Sequence, residues 1–183
     1  VDEVPVLWNR AGWIGSQRYP VHWGGDPDST FDGLAASLRG GLSIGVSGFQ
    51  YWSCDIGGYD GTPSTEVYIR WLQWAVLATS SPRFHGNTPR EPWEYGDLAL
   101  DIARRYIGER YKLLPYIYSL AAKASKEGIP LLRPMFIEFP DADIDLHQES
   151  QCMMGPALLI APVLHSDEEV TVSLPEGIWI EYW

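Results

Sequence analysis

The sequence predicts an α/β fold, a series of βαβ units around a parallel sheet, giving way near its end to the first strands of an all-β unit. Three observations carry that expectation. Strand-like and helix-like stretches alternate through about residue 125, the pattern of parallel strands joined by helical crossovers. Four successive strand ends deliver polar residues, namely Arg10, Asp26, Asp55 and His85. Beyond Gly128 the helical periodicity stops, and short apolar runs separated by Pro, Gly and Asp take over.

The elements follow in order. Val4 to Trp8 is a short apolar run expected to form a buried strand ending at Arg10, and Pro5 puts its start near Val6 because proline cannot donate to the ladder. Tyr19 to Trp23 is the next strand candidate, leading to Asp26. Ser29, three residues before Asp32, is expected to cap a helix with Leu34, Ala35 and Leu38 on one face, stopped by Gly40-Gly41. Phe49 to Cys54 forms a strand running into Asp55-Ile56-Gly57-Gly58-Tyr59. Thr62, with Pro63 after it, is expected to cap a helix whose apolar face carries Val67, Trp71, Trp74 and Ala78, ended by Ser81-Pro82.

Arg83 to Gly86 is a short strand end, and a helix follows with Leu98, Ile102 and Tyr106 on one face. Pro115 is expected to break or kink it before a second helix stops near Lys126 and Gly128. The runs 131–139, 157–163, 170–174 and 178–183 are expected as short strands. Domain boundaries are therefore expected at 1–127 for the α/β part, 128–148 for a connecting segment, and 149–183 for the start of the β-domain.

Bulk properties narrow the function. A net charge of −11 disfavours nucleic acid, an anionic membrane surface and a strongly anionic substrate. A neutral ligand fits, and nine Trp and ten Tyr suit a sugar-binding surface, although large aromatics also fill cores. No run approaches the ~18 apolar residues of a membrane span, so the chain is expected to be soluble, with the cytoplasm as the default compartment. Cys54 and Cys152 lack metal-like spacing and are expected to be free, buried thiols. No His/Cys/Asp grouping has metal-ligand spacing, so neither metal nor cofactor is expected. The chain starts at Val1 without Met, and a longer parent protein is expected.

The densest stretch runs from Arg10 to Asp26, RAGWIGSQRYPVHWGGD, with three aromatics, four glycines and a closing carboxylate. On composition alone it is a Gly-rich loop with Asp26-Pro27-Asp28 as turn and helix cap. Gly41-Leu42-Ser43-Ile44-Gly45 matches a nucleophile elbow in letters only, since that motif needs a strand before its serine and a helix after it.

Arg10-Ala11-Gly12, Gly15-Ser16-Gln17-Arg18-Tyr19 and His22-Trp23-Gly24-Gly25-Asp26 together resemble the acid/base region of glycoside hydrolase family 31. The DIGGY and RFHG motifs follow in the order that family has them. The resemblance implies the C-terminal half of a (β/α)8 TIM barrel, followed by the first strands of a β-sandwich domain. In such barrels, residues at the C-terminal strand ends converge on one active face. It further implies a retaining α-glycosidase acting on terminal non-reducing α-linked sugars through two carboxylates.

Asp26 matches the acid/base position. Arg10 resembles the pocket arginine, Trp23 a pocket-wall tryptophan, and Asp55 a pocket carboxylate that accepts sugar hydroxyls. Tyr59 stands where the family usually has Phe, and His85 matches a histidine that hydrogen-bonds the sugar. The nucleophilic aspartate, in a motif of the type W-x-D-M-N-E, has no match here, so it is expected upstream and the isolated chain is expected to be inactive.

His22 and Gly86 look closer to α-xylosidases than to the α-glucosidase branches, which more often carry R-N-H-N near the last strand. α-Xylosidase is therefore the preferred expectation and α-glucosidase the alternative. A non-catalytic carbohydrate-binding fragment and an α-glucan lyase are rivals. A half barrel also leaves open sheet edges that favour homo-oligomers.

Overall fold

A computed structural model describes residues 6–142, 149–166 and 169–183. Three short parallel strands, β1 (Trp8–Asn9), β2 (Val21–Trp23) and β3 (Tyr51–Ser53), form the first sheet in that order. Trp8 faces Val21, and His22 faces Trp52, in register. A parallel bridge between Asp55 and Arg83 adds the next extended segment beside β3, with Arg83 N–H bonding Cys54 O at 3.0 Å. These four segments, all parallel, are the scaffold of the site.

Crossovers α1 (Phe31–Val46) and α2 (Thr65–Ala78) return the chain between them. Their apolar faces build the core with β3: Leu34, Leu38, Trp71, Leu72 and Trp74 are all essentially inaccessible. Val67 and Ala78 are buried beside them, so the expected apolar face of α2 is the one that packs. The link from β1 to β2 has only a single 3-10 turn, Ser16–Arg18.

Local signals misplace several boundaries. Thr30, not Ser29, caps α1, accepting from Gly33 N–H at 3.1 Å. Ser64, not Thr62, caps α2, accepting from Val67 N–H at 3.2 Å. Gly40-Gly41 does not stop α1, because Gly41 lies against the Trp52 indole, where a Cβ would sit 2.5 Å from Nε1. Close packing of helix on sheet, not helix ending, explains that glycine, and the G-x-S-x-G run is wholly helical. Residues Val6, Leu7 and Trp8 are exposed instead of buried, since among the described residues β1 has a strand neighbour on one side only. Val4 and Pro5 lie outside the described residues.

Helix α3 (Asp97–Glu127) is one continuous helix through Pro115. The proline removes one donor, for the carbonyl of Tyr111, whose 69% exposure puts it on the side that water reaches. Gly128 ends the helix in a left-handed conformation, its N–H bonding Ala124 O at 2.8 Å. Leu98 is exposed, and Ala99 and Ala103 face the core in its place. Arg110 reaches from α3 to the end of α2, donating to Val76 O at 2.7 Å and Thr79 O at 2.9 Å, so it satisfies carbonyls the helix leaves over.

The second sheet is an antiparallel meander of β4 (Leu132–Arg133), β5 (Cys152–Met154) and β6 (Leu158–Ile160). The run expected as one strand over 131–139 divides at Pro134, which opens a short helix, α4 (Met135–Glu138). Residues 170–174 and 178–183 are not strands. The Gln151 side chain takes the place of a strand partner for Ser173, bonding both its N–H and its C=O at 2.9 Å. Residues 143–148 of the expected connecting segment lie outside the described residues. Among the described residues, no helix is long and apolar enough to cross a membrane.

Candidate active site

The four parallel segments all end on one side, and each delivers one or more of the sequence-predicted site residues there. After β2, Gly24-Gly25 turns the chain so that Asp26 meets Arg10 from the end of β1, Nη1 to Oδ2, at 2.9 Å. Gly25 has φ +77°, and a Cβ there would sit 3.2 Å from the Arg10 Nε. The dihedral therefore favours glycine, and the Arg10 side chain lies close against it. The Asp26 side chain remains 29% exposed, so a ligand can reach it.

Asp55, at the end of β3, is 1% exposed. Arg83 from the neighbouring segment holds it, with Nε and Nη2 at 2.8 and 2.7 Å from Oδ1. The same guanidinium lies 4.7 Å from the Trp23 ring centroid and 5.2 Å from that of Trp8. Trp23 therefore packs on Arg83 in a cation–π contact. Burial pushes the Asp55 carboxyl above its ordinary range, against the pull of Arg83 and, more weakly, His85; the Asp26 charge adds to the rise.

Tyr59 packs against His85, ring centroids 5.4 Å apart and tilted by 52°. His85 and Phe84 are exposed, while Tyr59 is half-buried. His22 is not in this cluster. It is buried, edge-on to Phe49 at 4.5 Å, and burial pushes its pKa down. Among the described residues, no group of three or more His, Cys, Asp or Glu is arranged to hold a metal ion.

Arg83 and Arg90 are site-building residues that the sequence reading passed over. Arg83 carried a signal: it lies two residues before His85 in the strand end expected over 83–86, hence on the same expected face. Arg90 carried none, since a lone arginine between two prolines has no periodic or motif context.

The sequence matches the Glycosyl hydrolases family 31 TIM-barrel domain over residues 1–120 and the Glycosyl hydrolase family 31 C-terminal domain over residues 128–183. The chain belongs to glycoside hydrolase family 31. It is 43% identical over 172 residues to an alpha-xylosidase of Emericella nidulans and 34% identical over 185 residues to alpha-glucosidase 2 of Bacillus thermoamyloliquefaciens. Those matches cover 93% and 98% of this chain but 22% and 23% of the relatives, so the chain spans under a quarter of either. Among solved structures, it superposes on a family 31 alpha-xylosidase from a soil metagenome complexed with xylose, at TM-score 0.83 and 34% identity. That match covers 89% of this chain and 28% of the other. A cycloalternan-degrading enzyme from Trueperella pyogenes, in complex with a covalent intermediate, superposes at TM-score 0.91 and 32% identity, covering 97% of this chain and 26% of its own. The first sheet falls within the residues that match the barrel domain, and the second within those that match the C-terminal domain.

Proposed function

We propose that this family 31 chain is part of a retaining α-glycosidase in which Asp26 is the acid/base, with α-xylosidase as the preferred activity. The observation that carries the reading is Asp26 at a parallel strand end, reachable by ligand and paired to Arg10, on the side of the sheet where the Asp55 and His85 segments also end. Paired in this way, Asp26 is a carboxylate able to accept a proton from water. Donating a proton to the leaving oxygen requires Arg10 to find another partner, and sugar hydroxyls suit its fork of donors. Asp55 accepts hydroxyls of the same sugar, while Trp23, Tyr59 and His85 form the wall. The second carboxylate, the nucleophile, comes from a segment outside these residues, which leaves the isolated chain inactive.

A family relative captured with a covalent intermediate supports the two-step route. The xylose complex and the alpha-xylosidase relative at 43% identity support the sugar. The alpha-glucosidase relative, which matches 98% of this chain at 34% identity, favours α-glucosidase as the second reading. Measured on the longer protein, kcat/KM for aryl α-xyloside should exceed that for aryl α-glucoside. One missing hydroxymethyl group is worth roughly 10–200-fold. A glucoside preference would move the enzyme to the second reading. A first-formed β-anomer in proton NMR would overturn the retaining mechanism.

A further inference from the structure

We propose that Arg90 is the positioning residue that sets the acid/base and the sugar-binding wall in register with each other. This rests on the roles given above to Asp26, Tyr59 and His85. Arg90 is 2% exposed, yet among the described residues no carboxylate lies within ion-pair distance of its guanidinium. Its donors are shared instead among the three loops that carry the site. Nη2 donates to Ser29 Oγ at 3.1 Å in the loop after β2. Nε donates to Gly58 O at 3.0 Å, and Nη2 also to Tyr59 O at 3.2 Å and Gly61 O at 2.8 Å, in the loop after β3. Nη1 donates to Thr88 O at 3.0 Å, in the loop beyond His85.

From these contacts the site is one step away. Tyr59 and Asp60 both donate through their backbone N–H to Pro27 O, at 2.8 and 3.1 Å, directly after Asp26. Asn87 N–H bonds Tyr59 O at 3.0 Å, two residues from His85, whose ring the Tyr59 side chain touches. The guanidinium is planar and rigid, so it fixes the angles between the loops as well as their spacing. Its own place is set from below, where the Tyr68 hydroxyl donates to Arg90 O at 2.7 Å and Tyr95 stacks on Tyr68 at 3.9 Å. Gly86 lies directly on it, and a Cβ there would be 2.6 Å from the Arg90 Cζ. Position 86 is thus confined to glycine while Arg90 is in place.

The test compares kcat/KM of the longer enzyme on two substrates of whichever sugar it hydrolyses. A methyl α-glycoside needs full protonation of its leaving oxygen, whereas an α-glycosyl fluoride needs little. Asp26→Asn is the reference and should lose activity mainly on the methyl glycoside. Arg90→Lys should do the same, losing about 100-fold on the methyl glycoside and no more than about fivefold on the fluoride, the scale of a displaced catalytic group. Ser29→Ala, which removes the Nη2 acceptor together with the hydroxyl's own weaker bond to Gly61 O and leaves the core intact, should give the same selectivity on a smaller scale of about threefold. Should Arg90→Lys not fold, Ser29→Ala decides alone. Equal factors on both substrates, or none, with Asp26→Asn still selective, would overturn the positioning role and leave the Asp26 assignment standing. An unselective Asp26→Asn would remove that assignment, and this inference with it.

Discussion

Asp55 takes both hydrogen bonds from Arg83 on a single oxygen. Oδ1 accepts Nε and Nη2 at 2.8 and 2.7 Å, while Oδ2 is buried and accepts no bond among the described residues. A carboxylate held in this one-sided way is fixed in orientation by a single cation. Removing the cation leaves a buried charge without compensation, which is strongly destabilising. Arg83→Met should therefore lower the unfolding free energy by about 3–5 kcal/mol. Urea unfolding checks this, and a loss below about 1 kcal/mol, the worth of an exposed pair, would contradict it.

The same pair predicts a pH dependence. Burial outweighs Arg83, so the folded-state pKa of Asp55 lies above that of the unfolded chain, about 3.9. The folded protein then holds a proton that the unfolded chain has released. The contribution of Asp55 to stability is full below about pH 4 and is lost as pH rises through its raised folded value. Asp55→Asn has no such titration, so the stability difference, wild type minus variant, should fall across that window. A difference that is flat with pH would contradict the assignment.

Two adjacent glycines of α1 should respond in opposite directions. At Gly40 a Cβ meets nothing within 4 Å, so Gly40→Ala should stabilise by about 0.5–1 kcal/mol through helix propensity. At Gly41 a Cβ would meet the Trp52 ring at 2.5 Å, so Gly41→Ala should destabilise by about 1–3 kcal/mol. Urea midpoints of the two variants against wild type read out the sign of each.

This glycine pair also marks where the sequence was legible. Alternation of strand and helix, the strand-end positions of Arg10, Asp26, Asp55 and His85, and the buried face of α2 all follow from periods of 2 and 3.6, which local sequence carries. Gly40-Gly41 looks the same in sequence whether it ends a helix or packs on an indole, and only the position of Trp52 decides. Ser29 has the chemistry of a cap, but its hydroxyl serves Gly61 O and Arg90 across the loops. Pro115 stays inside α3 because water can serve the carbonyl it frees, which depends on which side faces out. The ion pairs of Asp26 and Asp55 join residues 16 and 28 positions apart, a pairing of loops that no local signal contains.

Cys54 and Cys152 are free and buried, and burial pushes each thiol up to about 12. At pH 8 almost no thiolate forms at either position, and the thiolate is the nucleophile. The folded chain should therefore leave both unmodified by a disulfide reagent over minutes, and both should react at once in urea. Fast labelling of the folded protein would contradict the burial of the cysteine concerned.

The most direct measurement of the central claim is azide rescue of Asp26→Asn in the longer enzyme. If Asp26 is the acid/base, the variant should still be glycosylated by a substrate with a good leaving group and then stall, because no base activates water. Added azide, which needs no base, should restore turnover and yield the α-glycosyl azide. Unimpaired hydrolysis of an unactivated glycoside by the variant, with no azide adduct, would contradict the account.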